Sequence, residues 1–197
     1  KVLEALVKLI DRNEVRRGKC RITLFDGSAS KIWNGEGKDN VGILIQTAES
    51  GAAVNHLSLS VSPLPINSES PLAGVKSCNY TENLLAIENA RSNGSDEAIR
   101  INQRGEITSA CMANVFWIKD GRLFTPSLKT GCLSGTTREF VLEHADVSQV
   151  ESGIGVLRDA EYVFLTSAGI GIVQIGRFEN REFAGELHEL TRMIEES

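Results

Sequence analysis

The 197-residue chain predicts a mixed α and β protein of the α+β class. Three observations predict it. Short runs of β-branched and aliphatic residues recur along the chain, amphipathic helical stretches are scattered among them, and no Gly-x-Gly-x-x-Gly follows a strand as it would in a doubly wound nucleotide fold. With 41% hydrophobic and 24% charged residues the composition is that of a chain that buries a core, so disorder is not expected.

The elements follow in order. Val2, Leu3, Leu6, Val7, Leu9 and Ile10 recur at helical spacing among charged residues and predict an amphipathic helix that stops near Gly18. Cys20–Phe25 and Val41–Gln46 read as strands joined by a polar, Gly-rich loop from Asp26 to Asn40, and alternation with serine predicts a third strand over His56–Val61. The Pro, Ser and Gly density of Ser62–Val75 marks a linker or crossover. We therefore expect a smaller domain over 1–66 and a larger one over 67–197. Tyr80–Arg91 predicts a helix with Leu84, Leu85, Ile87 and Ala90 inward. Beyond it Glu97–Asn102, Ile107–Thr108, Val115–Lys119 and Leu123–Phe124 are short strands punctuated by Arg104-Gly105 and Asp120-Gly121 turns, a meander of antiparallel pairs. A helix over Thr137–Glu143, a buried strand over Glu161–Thr166 and a closing helix over Glu186–Glu196 complete the reading.

The net charge of −5 is mixed in sign along the chain, which argues against a phosphate-tracking surface and so against a nucleic-acid partner. No apolar run reaches membrane length and no signal peptide is recognisable, so we expect a cytoplasmic protein without a membrane partner. Cys20, Cys78, Cys111 and Cys132 are widely spaced and read as buried reduced thiols, and His56, His144 and His188 have no metal-ligand spacing. The chain opens at Lys1 already within a helical pattern, so the smaller domain is expected to be partial.

Two segments carry chemistry. In Pro71-Leu72-Ala73-Gly74-Val75-Lys76 an apolar, small-residue stretch delivers one amine, and desolvation beside apolar neighbours is one way to free a lysine for attack on an aldehyde; the other reading is a solvated loop cation. In Gly131-Cys132-Leu133-Ser134-Gly135-Thr136-Thr137-Arg138 a loop of small residues runs into a helix, where unsatisfied N–H groups and threonine hydroxyls can seat a phosphate; alternatively the threonines only cap the helix. An amine and an anion seat together are what pyridoxal 5′-phosphate requires.

With Lys76-Ser77-Cys78-Asn79-Tyr80, Asp96-Glu97-Ala98-Ile99, Gly105-Glu106-Ile107-Thr108, Ala113-Asn114-Val115-Phe116, Thr125-Pro126 and Leu133–Arg138 in this order, the chain resembles the class IV aminotransferases, the fold-type IV pyridoxal-phosphate enzymes that include branched-chain and D-amino-acid aminotransferases and aminodeoxychorismate lyase. The resemblance implies a D-amino-acid-aminotransferase-like fold and a Schiff base to pyridoxal 5′-phosphate at Lys76, which then shuttles a proton. It implies that Thr136 and Thr137 bind the phosphate, Leu133 packs on the ring, Tyr80 approaches its phenolic oxygen, and Ser167 and Ala168 approach the phosphate. Ser109 stands where the family has an acidic residue that pairs with the protonated ring nitrogen, and a hydroxyl favours an unprotonated ring. Arg21 is a candidate substrate contact and Trp117 a core or interface aromatic. The implied activity is amino-group transfer between an amino acid and a 2-oxo acid by a homodimer. The alternatives are elimination of pyruvate from an amino-chorismate, and a non-catalytic structural homologue.

Overall fold

Residues 1–27, 41–51, 56–183, 185 and 188–193 are described in the computed structural model. The chain divides into two compact units, Lys1–Ala52 and Ala53–Ser197. In the first, the apolar stripe of the N-terminal segment forms α1 (Val2–Arg12), which ends at Arg12 rather than near Gly18; Glu14, at φ 53°, turns the chain out of the helix. Two strands follow, β1 (Gly18–Asp26) and β2 (Val41–Glu49), antiparallel from Gly18 opposite Glu49 to Asp26 opposite Val41. Arg21 lies exposed on β1 opposite Gln46. Most of the Asp26–Asn40 loop, 28–40, lies outside the described residues.

The second unit is built on a nine-stranded sheet. In chain order it comprises β3 (Leu57–Val61), α2 (Thr81–Ser92), β4 (Glu97–Ile101), β5 (Ile107–Ala110), β6 (Asn114–Lys119), β7 (Arg122–Pro126), α3 (Thr136–His144), β8 (Val147–Val150), α4 (Gly155–Arg158), β9 (Tyr162–Ser167), β10 (Gly171–Phe178) and β11 (Arg181–Glu182). The strand order is β5-β4-β3-β10-β9-β6-β7-β8, with β11 on β10. β3, which the sequence reading groups with the smaller domain, hydrogen-bonds inside this sheet between β4 and β10.

The expected hairpins form. Asp120 and Gly121 both take positive φ, 51° and 67°, the geometry of a tight turn whose twist matches its flanking strands β6 and β7. A pure antiparallel meander does not. β3 runs parallel to β4, and β7 parallel to β8, because α2 and α3 are crossover helices that return the chain in the same direction. The sheet curls until its two ends meet: Ile107 N–H donates to Ser152 O at 2.8 Å, and Glu106 bridges Gly153.

Alternation along each strand divides the core in two. Val115, Trp117, Val163 and Leu165 join Leu59, Ile99 and Phe178 in one cluster, while Phe116, Ile118 and Phe164 pack with Val141 of α3 in another. Helix α2 packs through Ala86, Ile87 and Ala90 against Ala98 and Cys111. Leu84 and Leu85, expected inward, are 51% and 52% exposed; the close approach of α2 to β4 is made by its alanines. The cysteine expectation holds for Cys111 and Cys132 and fails for Cys20 and Cys78, which are exposed; all four are free thiols. Within the expected closing helix, Glu186–Glu196, the described residues form a short 3-10 turn at Glu189–Arg192, where His188 Nδ1 accepts from Leu190 N–H; the rest of that segment, His188 and Met193 apart, is outside the described residues.

Candidate active site

Lys76 lies on the crossover from β3 to α2, in a loop held by local turns: Ala73 N–H donates to Ser70 O and Val75 N–H to Leu72 O. Ser68, at the start of that loop, hydrogen-bonds Gln103 and accepts from Arg104 Nη1 at 2.9 Å, tying the loop to the β4–β5 turn. The Lys76 amine donates to Tyr80 Oη at 2.8 Å and lies 5.3 Å from the centre of the Tyr80 ring. Lys76 is exposed, not enclosed among apolar side chains. The polar partner of its amine is Tyr80, the residue immediately before α2.

The second loop, 131–135, meets the first. Gly74 takes φ 72°, and a Cβ there would lie 3.3 Å from Cys132 O; Gly131, at φ 93°, would place a Cβ 3.1 Å from the Ser68 backbone. Glycine at these two positions lets the loops touch. The loop then turns into α3 at Gly135, which caps the helix with extended backbone and no side-chain capping hydrogen bond. Thr136 and Thr137 are the first two helical residues, so the reading in which their hydroxyls cap the helix does not hold; the N–H groups of that first turn have no partner within the helix. Thr136 is exposed and Thr137 buried.

Two buried side chains fix this helix start. Asn114, at the head of β6, donates from Nδ2 to Leu133 O at 2.7 Å. Arg138 is 1% exposed and donates to Glu139 Oε1 (2.8 Å), Gln149 Oε1 (2.7 Å) and Pro126 O (3.1 Å), clamping the first turn of α3 onto β7 and β8. Ser134 donates to the same Glu139 oxygen at 2.7 Å. Thr166, fully buried on β9, is the register partner of Asn114, and its Oγ1 has no hydrogen-bond partner among the described residues. The Ser167-Ala168 turn follows directly, with Ser167 Oγ accepting from Gly169 N–H at 3.3 Å. The Cys132 thiol is pushed up from its ordinary range by burial, so it is a protonated packing group.

Ser109, on β5, is half-buried and stands directly opposite Arg100 of β4. The structure thus brings the loops of Lys76 and Leu133–Thr137 together and joins the Ser167-Ala168 turn to them through Asn114 and β9. Among the described residues no hydrogen bond joins Lys76 to Thr136 or Thr137. Arg100 escapes the sequence reading, as do the steric role of Gly135, the unpartnered hydroxyl of Thr166 and the anchoring role of Arg138. A cation between the two isoleucines of a mostly apolar strand, Arg100 in Glu97–Ile101, is the signal that was available for the first.

The fold and site define a class: the family model for amino-transferase class IV matches residues 1–178, and the chain belongs to that family. The chain is similar to the aminodeoxychorismate lyase of Bacillus subtilis (strain 168), 25% identical over 211 residues that cover 98% of this chain and 69% of that protein. It is 32% identical over 127 residues to the branched-chain-amino-acid aminotransferase of Pseudomonas aeruginosa, covering 60% of this chain and 40% of the relative. Among solved structures, the branched-chain amino acid aminotransferase from Escherichia coli shares the fold with a TM-score of 0.84 at 23% identity, over 99% of this chain and 68% of that one. Both the expected fold and the resemblance are borne out. Among the described residues no helix is long and apolar enough to cross a membrane, and no group of three or more His, Cys, Asp or Glu side chains is placed to hold a metal.

Proposed function

We propose that this chain is the cofactor-binding part of a pyridoxal 5′-phosphate enzyme that transfers an amino group between an amino acid and a 2-oxo acid. The observation that supports it most is the pairing of the Lys76 amine with Tyr80 Oη on a loop that abuts the uncapped start of α3. The donor set fits an anionic aldehyde: a primary amine at one side and, at the other, free helical N–H groups with the Thr136 and Thr137 hydroxyls beside them. When bound, the cofactor supplies an aldehyde for the substrate amine and a ring that draws electrons from the substrate carbon.

Lys76 would hold the cofactor and would afterwards carry a proton, while Tyr80 fixes the position of its amine. Thr136 and Thr137 take the phosphate, and Ser167 and Ala168 close on it from the end of β9. Leu133, its carbonyl held by Asn114, would border the ring, and Ser109 would face the ring nitrogen. The partner is a small molecule, an amino acid or an amino-chorismate. A cytoplasmic homodimer without nucleic-acid or membrane partners completes the proposal.

A second reading is elimination of pyruvate from aminodeoxychorismate, favoured by the extent of the Bacillus relative's match, 98% of this chain. A non-catalytic homologue is the third, favoured by Ser109 at the family's acidic position. Incubation with pyridoxal 5′-phosphate followed by borohydride reduction should leave the cofactor's mass on the peptide containing Lys76, and Lys76→Ala should carry none. Equal labelling of the two proteins would remove the assignment. Pyruvate release from aminodeoxychorismate without a 2-oxo acid separates lyase from transferase, which needs the acceptor.

A further inference from the structure

Arg100 is an arginine 1% exposed on a strand otherwise made of Glu97, Ala98, Ile99 and Ile101. Its guanidinium donates from Nε to Leu64 O (3.0 Å), from Nη1 to Asn83 Oδ1 (2.5 Å) and from Nη2 to Glu82 Oε2 (3.4 Å). Asn83 and Glu82 lie in the first turn of α2, which begins just after Tyr80, and Tyr80 holds the Lys76 amine. Arg100 is also the direct cross-strand partner of Ser109, and opposed residues of an antiparallel pair project from the same face of the sheet. Ile99 and Ala110, the neighbouring pair, belong to the core cluster on the other face. Buried cation, Ser109, Tyr80 and Lys76 are thus linked through one short stretch of structure.

Arg100 has one ion-pair partner among the described residues, Glu82, and the buried carboxylate of the same strand, Glu97, is spent on the Ala98 and Cys111 N–H groups. The Glu82 carboxylate is 77% exposed while the guanidinium is fully buried, so water screens the negative partner and leaves the interior side positive. The β4–β5 face at Ser109 therefore carries a hydroxyl residue in register with a buried arginine. Such a face disfavours any cationic group placed on it and favours a lone pair that accepts from a hydroxyl.

We infer that Arg100 is a positioning and charge-setting residue that, with Ser109, keeps the ring nitrogen of a bound pyridine-type ligand unprotonated. The inference rests on the cofactor reading above. It assigns to this chain a site selective for neutral heteroaromatic rings, in which Ser109 donates to the nitrogen and Arg100 repels a proton there.

The test uses 4′-deoxypyridoxine 5′-phosphate labelled with nitrogen-15, an aldehyde-free ligand that cannot react with Lys76, and reads its ring-nitrogen chemical shift in the bound state. The wild-type protein should show a pyridine-type shift across the neutral pH range. Arg100→Met should move the shift toward the pyridinium type at the same pH, and Arg100→Lys should restore the wild-type signal. Ser109→Ala, which disturbs one half-buried hydroxyl, decides the matter if Arg100→Met does not fold: Arg100 alone should still hold the nitrogen unprotonated. A pyridinium shift in the wild type or in Ser109→Ala, or an unchanged shift in a folded Arg100→Met, overturns the inference while leaving the cofactor site standing. Failure of the wild-type protein to bind the ligand at all overturns the cofactor reading, and this inference with it.

Discussion

Replacing Gly135 by alanine tests how the start of α3 is built. Gly135 has ordinary extended dihedrals, φ −75° and ψ 144°, so a side chain there costs no backbone strain. The obstacle is steric: the new Cβ would sit inside contact distance of Asn114 Oδ1. To reach an ordinary carbon–oxygen contact the oxygen must retreat by about 1 Å. Asn114 is 6% exposed, and its Nδ2 is committed to Leu133 O at 2.7 Å, so the retreat strains or breaks a nearly buried hydrogen bond. Overpacking and the lost bond together should cost about 2–3 kcal/mol in urea unfolding. Asn114→Ala removes the same bond but leaves room, and should cost about 1–2 kcal/mol. Because alanine at 114 makes space for the new Cβ, the double variant should be within about 0.5 kcal/mol of Asn114→Ala alone, a strong coupling. Additive effects, with the double variant losing about 3–5 kcal/mol, would refute the contact and with it the account of how the loop is held.

Two further perturbations follow from charge and burial. Hydrogen bonds from Ser58 N–H (2.8 Å) and Ser58 Oγ–H (2.7 Å) hold the Asp96 carboxyl below its ordinary value of 3.8. A depressed carboxylate stabilises the fold above that ordinary value and loses its contribution as pH falls through the lowered one, so Asp96→Asn should cost at most about 1 kcal/mol at neutral pH, this group being exposed, with the difference vanishing in acid melts. A difference that grows on acidification would contradict the assignment. Native alkylation with iodoacetamide should label Cys20 and Cys78 and spare Cys111, whose thiol is pushed up to about 12 by burial and then by Glu97, and Cys132, which burial also raises; mass spectrometry of the peptides reads the result.

The strands that alternate visibly, such as Val115–Lys119, are legible in the sequence because one residue in two must face a core. The segments that escape it lack that signature. β8 has only four residues, and β10 carries glycine at both Gly171 and Gly176. Which strands pair in parallel depends on crossovers and not on any local pattern, so β3 beside β10 was beyond reach. The inward face of α2 is read correctly at Ile87 and Ala90 and wrongly at Leu84 and Leu85, because hydrophobicity ranks leucine above alanine, whereas close packing on β4 selects small residues such as Ala86 and Ala90. At the site the ordered motifs locate both loops, since glycines and an amine leave marks in sequence. The exposure of Lys76, the opposition of Arg100 and Ser109 and the anchoring of Arg138 are products of register and tertiary contact, which no single segment carries.

The meeting of β5 with the 152–153 segment gives the larger unit a mechanical character of its own. Strand β5 is bonded to β4 on one side and to Ser152 and Gly153 on the other, so it presents no long unpaired rim at that end for another chain to extend. Ser109 lies two residues beyond the Ile107 bond and pairs with Arg100 on β4, so the amide of Ile107, bonded across that contact, should exchange with solvent more slowly than those of an open sheet edge.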